Sequence, residues 1–249
     1  MSPAEKARQF SALHVKGQPL TLTNIWDAGT AKAVADSGAV AIATSSWSIA
    51  AAQGYPDGEA LPLDRVEETV RRIAATVSLP ISVDFEGGYA VEPEAVADNV
   101  MRVVAAGAIG INFEDGVVGA GTLHDIGIQG QRIAAVRARG VHLGIDLFIN
   151  ARTDLFLQAS SADQHPALLD AAIERARAYQ QAGASGFFVP GLVDEQLIHA
   201  LCAATDLPVN IMLTATALPI ARFSALGVSR ISYGPLPFVR CLQHLQNGT

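Results

Sequence analysis

The chain has 249 residues, of which half are apolar and 16% are charged, a composition that excludes a disordered or fibrous protein. Acidic residues outnumber basic ones by 24 to 17, and the net charge of -7 argues against a nucleic acid or an anionic membrane as partner. The two cysteines, Cys202 and Cys241, are too few for a disulfide framework and lack metal-ligand spacing. Without a membrane-spanning run or an apolar signal peptide, the sequence predicts a soluble cytoplasmic protein.

Short apolar segments alternate with longer helical patterns along the chain. Residues 1–19 have the pattern of an amphipathic helix, and the short segments that follow are almost continuously apolar, as parallel strands buried on both faces are. The predicted strands are residues 20–26, 40–44, 81–85, 110–114, 147–151, 186–189, 209–213 and 230–233.

The segments between these strands have helical periodicity and recognisable ends. Asp64 and Glu67 are spaced like a capping box, and Pro93 is predicted to lie in the first turn of the next helix. A glycine precedes a strand in AAGAIGINF, QAGASGFFV and SALGVSRIS, which is typical of a helix that ends at that glycine. One apolar helix face is formed by Leu63, Val66, Val70, Ile73 and Val77.

Eight strands alternating with helices predict one (β/α)8 barrel domain, an α/β TIM barrel. In this interpretation residues 1–19 are an N-terminal helix, residues 20–234 the barrel and residues 235–249 a C-terminal helix. The alternative is a doubly wound open sheet. It usually has fewer strands and a phosphate-binding glycine motif, and the nearest match, at residues 119–124, lacks the third glycine.

Polar residues follow the predicted strands at their carboxyl ends, where barrels of this kind carry their chemistry. Several carboxylates beside a single arginine would repel one another unless a divalent cation lay among them, and oxygen ligands suit Mg²⁺. The absence of His and Cys from the set argues against zinc. The set comprises Asn24, Asp27, Thr44, Ser45, Ser46, Asp84, Glu86, Glu114, Asp115, Asn150, Arg152, Asp154, Asn210 and Tyr233.

Each of these acids could instead cap the helix that follows its strand. We assign Asp115 and Asp154 to that structural role. Asp84 and Glu86 are stronger functional candidates, because they are two residues apart in a strand-like segment and can face the same side.

Four motifs resemble the isocitrate lyase/phosphoenolpyruvate mutase superfamily: GYPDG (54–58), VDFEGGY (83–89), INFED (111–115) and INARTD (149–154). The resemblance covers residues 20–235 in order. It implies a (β/α)8 barrel, a Mg²⁺ ion, with Mn²⁺ as a substitute, and a small 2-oxo acid as substrate and partner. The chemistry it implies cleaves or forms C–C or P–C bonds through an enolate.

The resemblance also implies roles for individual residues. Asp84 corresponds to the direct metal ligand, while Asp57, Glu86 and Glu114 correspond to acids that hold the metal's waters. Glu86 stands where the family more often has Asp. Arg152 resembles the arginine that pairs with the substrate carboxylate. Ser45, with the amides of Ser46 and Trp47, resembles the loop that binds a carboxylate or developing oxyanion. We add Asn210 and Tyr233, at strand ends, as substrate-binding candidates.

Departures from the family pattern narrow the predicted reaction. The loop GVVGAGTLHDIG (116–127) lacks the Lys-Lys-Cys-Gly-His segment of the family's lyases, and Pro190 stands where phosphonopyruvate-handling members have His. Decarboxylation of a 3-carboxy-2-oxo acid such as oxaloacetate needs only enolate stabilisation, and His124 is the candidate proton donor. The alternatives are a phosphonopyruvate hydrolase or phosphoenolpyruvate mutase-like enzyme, and a barrel that binds a 2-oxo acid without turning it over.

Motion and assembly follow from the same comparison. The glycine-rich loop 116–127 is predicted to be mobile and to close over the substrate, with Leu123 and His124 nearest the ligand. Family members commonly form oligomers by exchanging a C-terminal helix. Because only PLPFVRCLQHLQNGT follows the last predicted strand, we expect a homo-oligomer, a dimer or tetramer, without an extended exchange.

Overall fold

Strands and helices alternate in the computed structural model, which describes residues 1–213 and 219–248. The strands are β1 Leu20–Leu22, β2 Asn24–Ile25, β3 Ile42–Thr44, β4 Ile81–Asp84, β5 Gly110–Glu114, β6 Gly116–Val117, β7 Thr122–Leu123, β8 Phe148–Arg152, β9 Gly186–Phe188, β10 Val209–Met212 and β11 Arg230–Ser232. The helices are α1 Pro3–Ala12, α2 Ala28–Asp36, α3 Ser46–Ala52, α4 Leu63–Thr76, α5 Pro93–Ala105, α6 Ile126–His142, α7 His165–Gln181, α8 Glu195–Ala204, α9 Ile220–Ala225 and α10 Leu236–Gln246.

The central sheet closes through the first predicted strand, which is divided at Thr23. Its first half, β1, pairs with β11, and its second half, β2, pairs with β3. The remaining neighbours are parallel in the order β3-β4-β5-β8-β9-β10-β11. This closed parallel sheet confirms the predicted (β/α)8 barrel, and the doubly wound alternative is wrong.

The outer helices pack one apolar face on the barrel, as α4 shows. Val66, Val70 and Ile73 of the predicted face are buried. The predicted capping box is wrong, because α4 begins after Pro62 and Asp64 and Glu67 bind Arg102 of α5 instead. In the described ranges, 1–213 and 219–248, no helix is long and apolar enough to cross a membrane.

Three glycines end helices as predicted. Gly107, Gly183 and Gly227 follow α5, α7 and α9 with φ values of 119°, 101° and 87°, a region that side chains disfavour. At Gly107 an added Cβ would also lie 2.5 Å from the Cβ of Ala74. Pro93 is the first residue of α5, which confirms its predicted position.

Helix α1 covers the end of the barrel where the strands begin. Its Phe10 is fully buried and lies edge-on to Phe148 of β8, with ring centroids 5.2 Å apart. His14 stacks on the same Phe148 ring at 4.1 Å and its Nδ1 lies 2.8 Å from the Phe10 carbonyl. The opposite end, where the strands stop, is therefore the open mouth of the barrel.

The glycine-rich loop after β5 is partly regular. β6 and β7 pair antiparallel, with Val117 opposite Thr122, and the Ala120 N–H donates to the Val117 carbonyl at 3.0 Å. Gly119 and Gly121 supply the left-handed conformations of the turn, with φ values of 74° and 64°. The loop is thus a short hairpin, and its movement over a ligand stays a prediction.

Candidate active site

Asp84 ends β4 at the mouth of the barrel, and donors from two other segments hold its carboxylate. Oδ2 accepts hydrogen bonds from the Ser46 N–H at 3.1 Å and the Ser46 hydroxyl at 3.0 Å. Oδ1 accepts from the Asn112 side-chain amide of β5 at 3.3 Å. The carboxylate is therefore oriented before any ligand binds, as a preorganised site requires.

Arg152 ends β8, and all three of its guanidinium nitrogens face carboxylates. Nη1 lies 2.9 Å from Glu114 and 3.9 Å from Asp84, while Nε and Nη2 lie 2.6 and 3.1 Å from the two oxygens of Asp154. Burial disfavours the charged guanidinium, but Glu114, Asp154 and Asp84 outweigh it and raise the pKa of Arg152. The side chain is thus a permanent cation in a fixed orientation.

Glu86 links the segment after β4 to the GYPDG segment. Its Oε1 accepts from the N–H groups of Gly58 and Glu59 at 3.0 and 2.9 Å, and its Oε2 accepts from the Tyr89 hydroxyl at 2.9 Å. Burial raises the pKa of Glu86 to about 7, although these donors oppose the shift. The pKa of Asp57 is raised by burial and then by the charge of Asp84. Two motifs that are distant in sequence therefore form one acidic unit.

Glu114, at the end of β5, completes the carboxylate cluster of Asp57, Asp84, Glu86 and Glu114. Burial raises the pKa of Glu114 to about 8 in spite of Arg152, and Asp154, Asp84 and Glu86 raise it further. Besides burial, the charges of Asp57 and Asp84 raise the pKa of Glu86, and those of Asp84 and Glu86 raise the pKa of Glu114, a situation that a bound divalent cation relieves.

The donor set fits Mg²⁺ by its chemistry. Among the described residues, no three acidic, histidine or cysteine side chains converge closely enough to enclose an ion by themselves. Mg²⁺ does not need such an enclosure, because it binds one or two carboxylates directly and keeps several waters. The arrangement of two carboxylates that line the cavity, Asp57 and Asp84, beside further acids suits that mode of binding.

The segment Ser45-Ser46-Trp47 opens α3 beside Asp84. The buried Ser45 hydroxyl caps the helix by accepting from the Ser48 N–H at 3.3 Å. Trp47 is 37% exposed at the rim and lies edge-on to Phe238 of α10, with ring centroids 5.8 Å apart. The predicted carboxylate-binding loop therefore lies at the mouth, where it is anchored by its own capping bonds.

A cavity of about 140 Å³ joins these groups. It is smaller than the roughly 300–1,000 Å³ of pockets for drug-sized ligands, so it suits a small acid. The lining residues of its first, mostly polar side belong to β2 to β8 and the segments that follow these strands, and those of its other side lie between the loop after β8 and the segment after β11. The lining residues are Asn24, Ser45, Ser46, Trp47, Asp57, Asp84, Asn112 and Arg152, and then Leu157, Phe188, Pro190, Met212, Ser232, Gly234 and Pro235.

Five residues that were assigned metal, catalytic or substrate-binding roles do not line this cavity: Glu86 and Glu114, described above, and Asn210, Tyr233 and His124. Asn210 is buried inside the barrel, where its side-chain amide lies 3.1 Å from the Ser232 hydroxyl. Tyr233 packs against the core, and its N–H donates to Asn24 Oδ1 at 2.8 Å. His124 follows the hairpin, with its N–H 2.8 Å from the Asp115 carbonyl. Contact of these side chains with a substrate stays a prediction.

The interpretation of Asp115 and Asp154 as helix caps is wrong. Asp154 binds Arg152, as described above, and so orients a predicted catalytic group. Asp115 is fully buried and accepts from the Asp154 N–H, the Tyr179 hydroxyl and Arg175 at 3.0, 2.8 and 2.9 Å. It joins the ends of β5 and β8 to α7. The Arg152-x-Asp154 spacing was the sequence signal for the first of these contacts.

A second set missed by sequence reasoning lies below Asp84, inside the barrel. Asn112 Oδ1 accepts from Asn150 at 2.9 Å and from the fully buried Arg230 at 3.2 Å. These two donors fix the orientation of the Asn112 amide, so its Nδ2 faces Asp84. Burial lowers the pKa of Arg230 to about 9. Asn150 had been noted only as a strand end, and Arg230 lies in a strand where a barrel usually carries apolar residues.

Comparisons with known proteins agree with this geometry. A family model described as phosphoenolpyruvate phosphomutase matches residues 10–249. A crystal structure from Burkholderia cenocepacia J2315, provisionally described as a phosphonomutase, shares 47% identity at a TM-score of 0.96, covering 99% of this chain and 98% of that one. A phosphonopyruvate hydrolase in complex with oxalate and Mg²⁺ shares the fold at a TM-score of 0.85 and 24% identity, covering 97% and 84% of the two chains.

Two curated relatives have assigned activities. The 2-methylisocitrate lyase of Escherichia coli K12 is 31% identical over 215 residues, which cover 84% of this chain and 70% of that protein. An oxaloacetate decarboxylase of Rhodopseudomonas palustris BisA53 is 35% identical over 163 residues, covering 63% of this chain and 52% of its own length.

Proposed function

We propose, since the chain belongs to the phosphoenolpyruvate phosphomutase family, that it is a Mg²⁺-dependent lyase that cleaves a C–C bond in a small 2-oxo or 2-hydroxy acid through an enolate. Family membership confirms the resemblance seen in the sequence and supports an enzymatic activity. Within that class, decarboxylation of a 3-carboxy-2-oxo acid such as oxaloacetate is our leading reaction, and the similarity to an oxaloacetate decarboxylase supports it.

Asp84 would hold the metal directly, and Asp57, Glu86 and Glu114 would hold its waters. A bound Mg²⁺ would supply Lewis-acid stabilisation of negative charge on the substrate oxygens. The fit rests on the oxygen-only donor set and on the proximity of these four carboxylates. Burial, with the charges of neighbouring carboxylates added to it, raises the pKa of Glu86 to about 7 and that of Glu114 to about 8.

The residues of the chain would bind the acid at one end. Arg152 would pair with the C1 carboxylate, and its orientation by Glu114 and Asp154 makes that contact directional. The Ser45 hydroxyl and the Trp47 amide, at the start of α3, would donate to the oxygen on which charge develops. Trp47 and the apolar lining would exclude water from the enolate.

In the proposed reaction the C3–C4 bond of the substrate breaks and CO₂ leaves. The electron pair of that bond enters the C2–C3 bond to form the enolate, and a proton added to C3 then yields the 2-oxo product. His124 is our candidate donor, which requires the β6–β7 hairpin to move, because its side chain does not line the described cavity. Solvent is the other source of this proton.

The observation that carries the proposal is the small cavity that joins Asp84, Arg152 and Ser45. The test is an assay of pyruvate and CO₂ formation from oxaloacetate with and without Mg²⁺, corrected for the uncatalysed reaction. We expect metal-dependent turnover that Arg152→Lys reduces mainly through KM, because an ammonium cannot replace the bidentate fork. Calorimetric binding of a 2-oxo acid with no product over hours would instead favour a non-catalytic barrel.

A second candidate is P–C bond chemistry, as in a phosphonopyruvate hydrolase or a phosphoenolpyruvate mutase. The similarity to the Burkholderia phosphonomutase-like structure favours it. Phosphate release from phosphonopyruvate, or interconversion of phosphonopyruvate and phosphoenolpyruvate, would identify this activity. If phosphonopyruvate is turned over faster than oxaloacetate, P–C bond chemistry would replace decarboxylation as the leading reaction.

A further inference from the structure

The two sides of the cavity differ in chemistry. Arg152, Asp84 and Ser45 belong to the side formed by β3 to β8, and the strand order places β9 to β11 on the other half of the barrel. On that half the cavity is lined by Phe188, Pro190 and Met212, joined by Leu157 from the loop after β8. Ser232, Gly234 and Pro235 complete it, and the Ser232 hydroxyl is already hydrogen-bonded to the Asn210 side chain. A substrate whose carboxylate binds Arg152 would therefore extend its other end toward apolar side chains.

Lys and Arg are absent from the sequence of every segment that follows a barrel strand. Arg152 itself, at the end of β8, is the single Lys or Arg among the residues described as lining the cavity. Its three nitrogens already face Glu114 and Asp154. The connecting segments that contain neither Lys nor Arg are residues 26–27, 45–62, 85–92, 115–125, 153–164, 189–194, 213–219 and 233–235.

The backbone N–H groups of Tyr233 and Gly234, directly after the last strand, already have hydrogen-bond partners. Barrel enzymes frequently bind phosphate with N–H groups at this place, where the next helix begins. Here the N–H groups of Tyr233 and Gly234 both donate to Asn24 Oδ1, at 2.8 and 3.0 Å. Pro235 and Pro237 have no N–H to offer. A phosphonate on the half of the cavity formed by β9 to β11 would therefore find neither a Lys or Arg side chain nor these amide donors.

We infer that this cavity selects a substrate in which only one end, the carboxylate bound by Arg152, stays anionic throughout the reaction. The group on C3 at the opposite end, called the far group below, is either uncharged or leaves as a neutral molecule. The inference rests on the proposed function, because it takes Arg152 to hold the carboxylate. Leu157, Phe188, Pro190 and Met212 are its specificity-determining residues. An unpaired anion against such a surface is disfavoured, whereas an alkyl group is not.

The inference separates the reactions that remain open. The C4 carboxylate of oxaloacetate loses its charge when it departs as CO₂, and an apolar surface suits that product. The phosphorus group stays anionic throughout P–C cleavage, and the additional carboxylates of a tricarboxylic acid persist through retro-aldol cleavage. Both of those substrate classes would need a further basic side chain on the half of the mouth formed by β9 to β11.

The test compares ligands that share the CH₂–CO–COO⁻ skeleton. In 2-oxobutyrate a methyl group replaces the C4 carboxylate of oxaloacetate, and in phosphonopyruvate a phosphonate replaces it. Binding is measured by calorimetry with saturating Mg²⁺, with oxalate as a probe of the carboxylate end alone. We expect 2-oxobutyrate to bind at least about tenfold tighter than phosphonopyruvate, a difference of about 1.4 kcal/mol.

Charge-addition variants test the location of the far group. Leu157 is 45% exposed, so Leu157→Arg can be tolerated at the rim, and Met212→Lys approaches from the neighbouring strand. Each should shift the affinity ratio at least tenfold toward phosphonopyruvate. Val141→Arg adds the same charge at an exposed position in the last turn of α6, which does not line the cavity, and should leave the ratio unchanged. Thermal melting establishes that each variant is folded.

The outcomes distinguish the two proposals. If oxalate fails to bind, the proposed function loses its carboxylate site. If oxalate binds but phosphonopyruvate binds as tightly as 2-oxobutyrate or more tightly, the inference alone is overturned. An unchanged ratio in folded Leu157→Arg and Met212→Lys would also overturn it, because the far group would then lie elsewhere.

Discussion

Asp84 receives hydrogen bonds from Ser46 and Asn112, which belong to α3 and β5, so three parts of the chain determine where one carboxylate lies. The side chain faces the cavity and contributes little to the core. Its removal should therefore affect metal binding more than folding.

We predict that Asp84→Ala abolishes Mg²⁺ binding and reduces kcat by more than tenfold, while the far-ultraviolet spectrum and melting transition persist. The matched control is Asp27→Ala. Asp27 also follows a barrel strand, but it caps α2 through Thr30. Its loss should cost about 0.5–2 kcal/mol of stability and leave kcat unchanged. An Asp84→Ala variant that keeps more than about a tenth of the wild-type kcat would contradict the metal assignment.

Asp154 provides a second prediction at this scale. Its carboxylate lies 2.6 and 3.1 Å from Arg152 Nε and Nη2, so Asp154→Asn weakens the contact that orients the guanidinium without changing side-chain size. We expect KM to rise about 10–100-fold and kcat to fall less, because in the proposed function Arg152 binds the carboxylate in ground state and transition state alike. Steady-state kinetics over a range of substrate concentrations measures this. Equal losses in kcat and in kcat/KM would show a different role.

Sequence reasoning identified the acidic residues of the mouth because acids directly after buried strands are conspicuous. It could not identify the contacts of Asn112 and Arg230. Both lie inside strands, and only the barrel's curvature brings Arg230 of β11 to Asn112 of β5 across the interior. Asp154 was misread for a related reason. An aspartate that follows a strand can cap the next helix or bind an arginine two residues earlier, and a single sequence does not distinguish these two roles.

At the scale of elements, the segment that follows α1 contains a buried histidine, His14, which makes the stability of the protein depend on pH. His14 is 9% exposed, and burial followed by the charge of Arg230 lowers its pKa to about 3. In the unfolded chain a histidine binds a proton near pH 6.5, so the native state binds fewer protons between about pH 6.5 and 3. The contribution of neutral His14 to the free energy of unfolding is therefore fully present above about pH 6.5 and is lost as the pH falls through this window.

We predict that His14→Phe, which preserves an aromatic ring beside Phe148, removes this acid sensitivity. Between pH 7.5 and 5 the free energy of unfolding of the wild type should fall by roughly 2 kcal/mol more than that of the variant. Urea denaturation at both pH values measures the difference. Parallel pH dependences of the two proteins would mean that His14 is protonated in the native state.

The hairpin β6–β7 provides a prediction about motion. Its tip, residues 118–121, is exposed and so buries little surface to offset the cost of ordering, while the His124 N–H is bonded to the Asp115 carbonyl. Hydrogen exchange should show fast exchange at the tip, slowing when Mg²⁺ and oxalate are added, and little change at His124. Amides of α1, beneath the barrel, serve as the internal reference. Equal protection of the tip with and without ligand would contradict its role as a lid.

The predicted elements and the observed ones differ where tertiary contacts decide. The segment 20–26 has one continuous strand pattern, but its halves pair with different neighbours and divide at Thr23. Pro62 fixes the start of α4 and leaves Asp64 free to bind Arg102. Glycine content predicted a loop at 116–127, yet the same glycines allow the tight turn of a hairpin. Local patterns do not distinguish these outcomes.

At the scale of the whole molecule, the barrel could be predicted because its repeating strand and helix pattern extends along the chain. That pattern does not indicate which apolar side chains are exposed on the surface, and these side chains determine assembly. We predict a homo-oligomer, since α10 exposes Leu242 and Leu245 by 41% and 73%. Sedimentation velocity at micromolar concentration should give a dimer or tetramer, and a monomer at that concentration would contradict the prediction.

The pairing of β1 with β11 has a consequence for synthesis of the protein. The first barrel strand finds one of its two neighbours only in the last, so the ring cannot close on a ribosome before almost all of the chain has emerged. Until then the nascent sheet has two unpaired edges, which are prone to join other chains. Contacts between such distant parts of a chain also slow folding. Cells that produce this protein would therefore benefit from chaperones that shield the growing sheet until its final strand arrives.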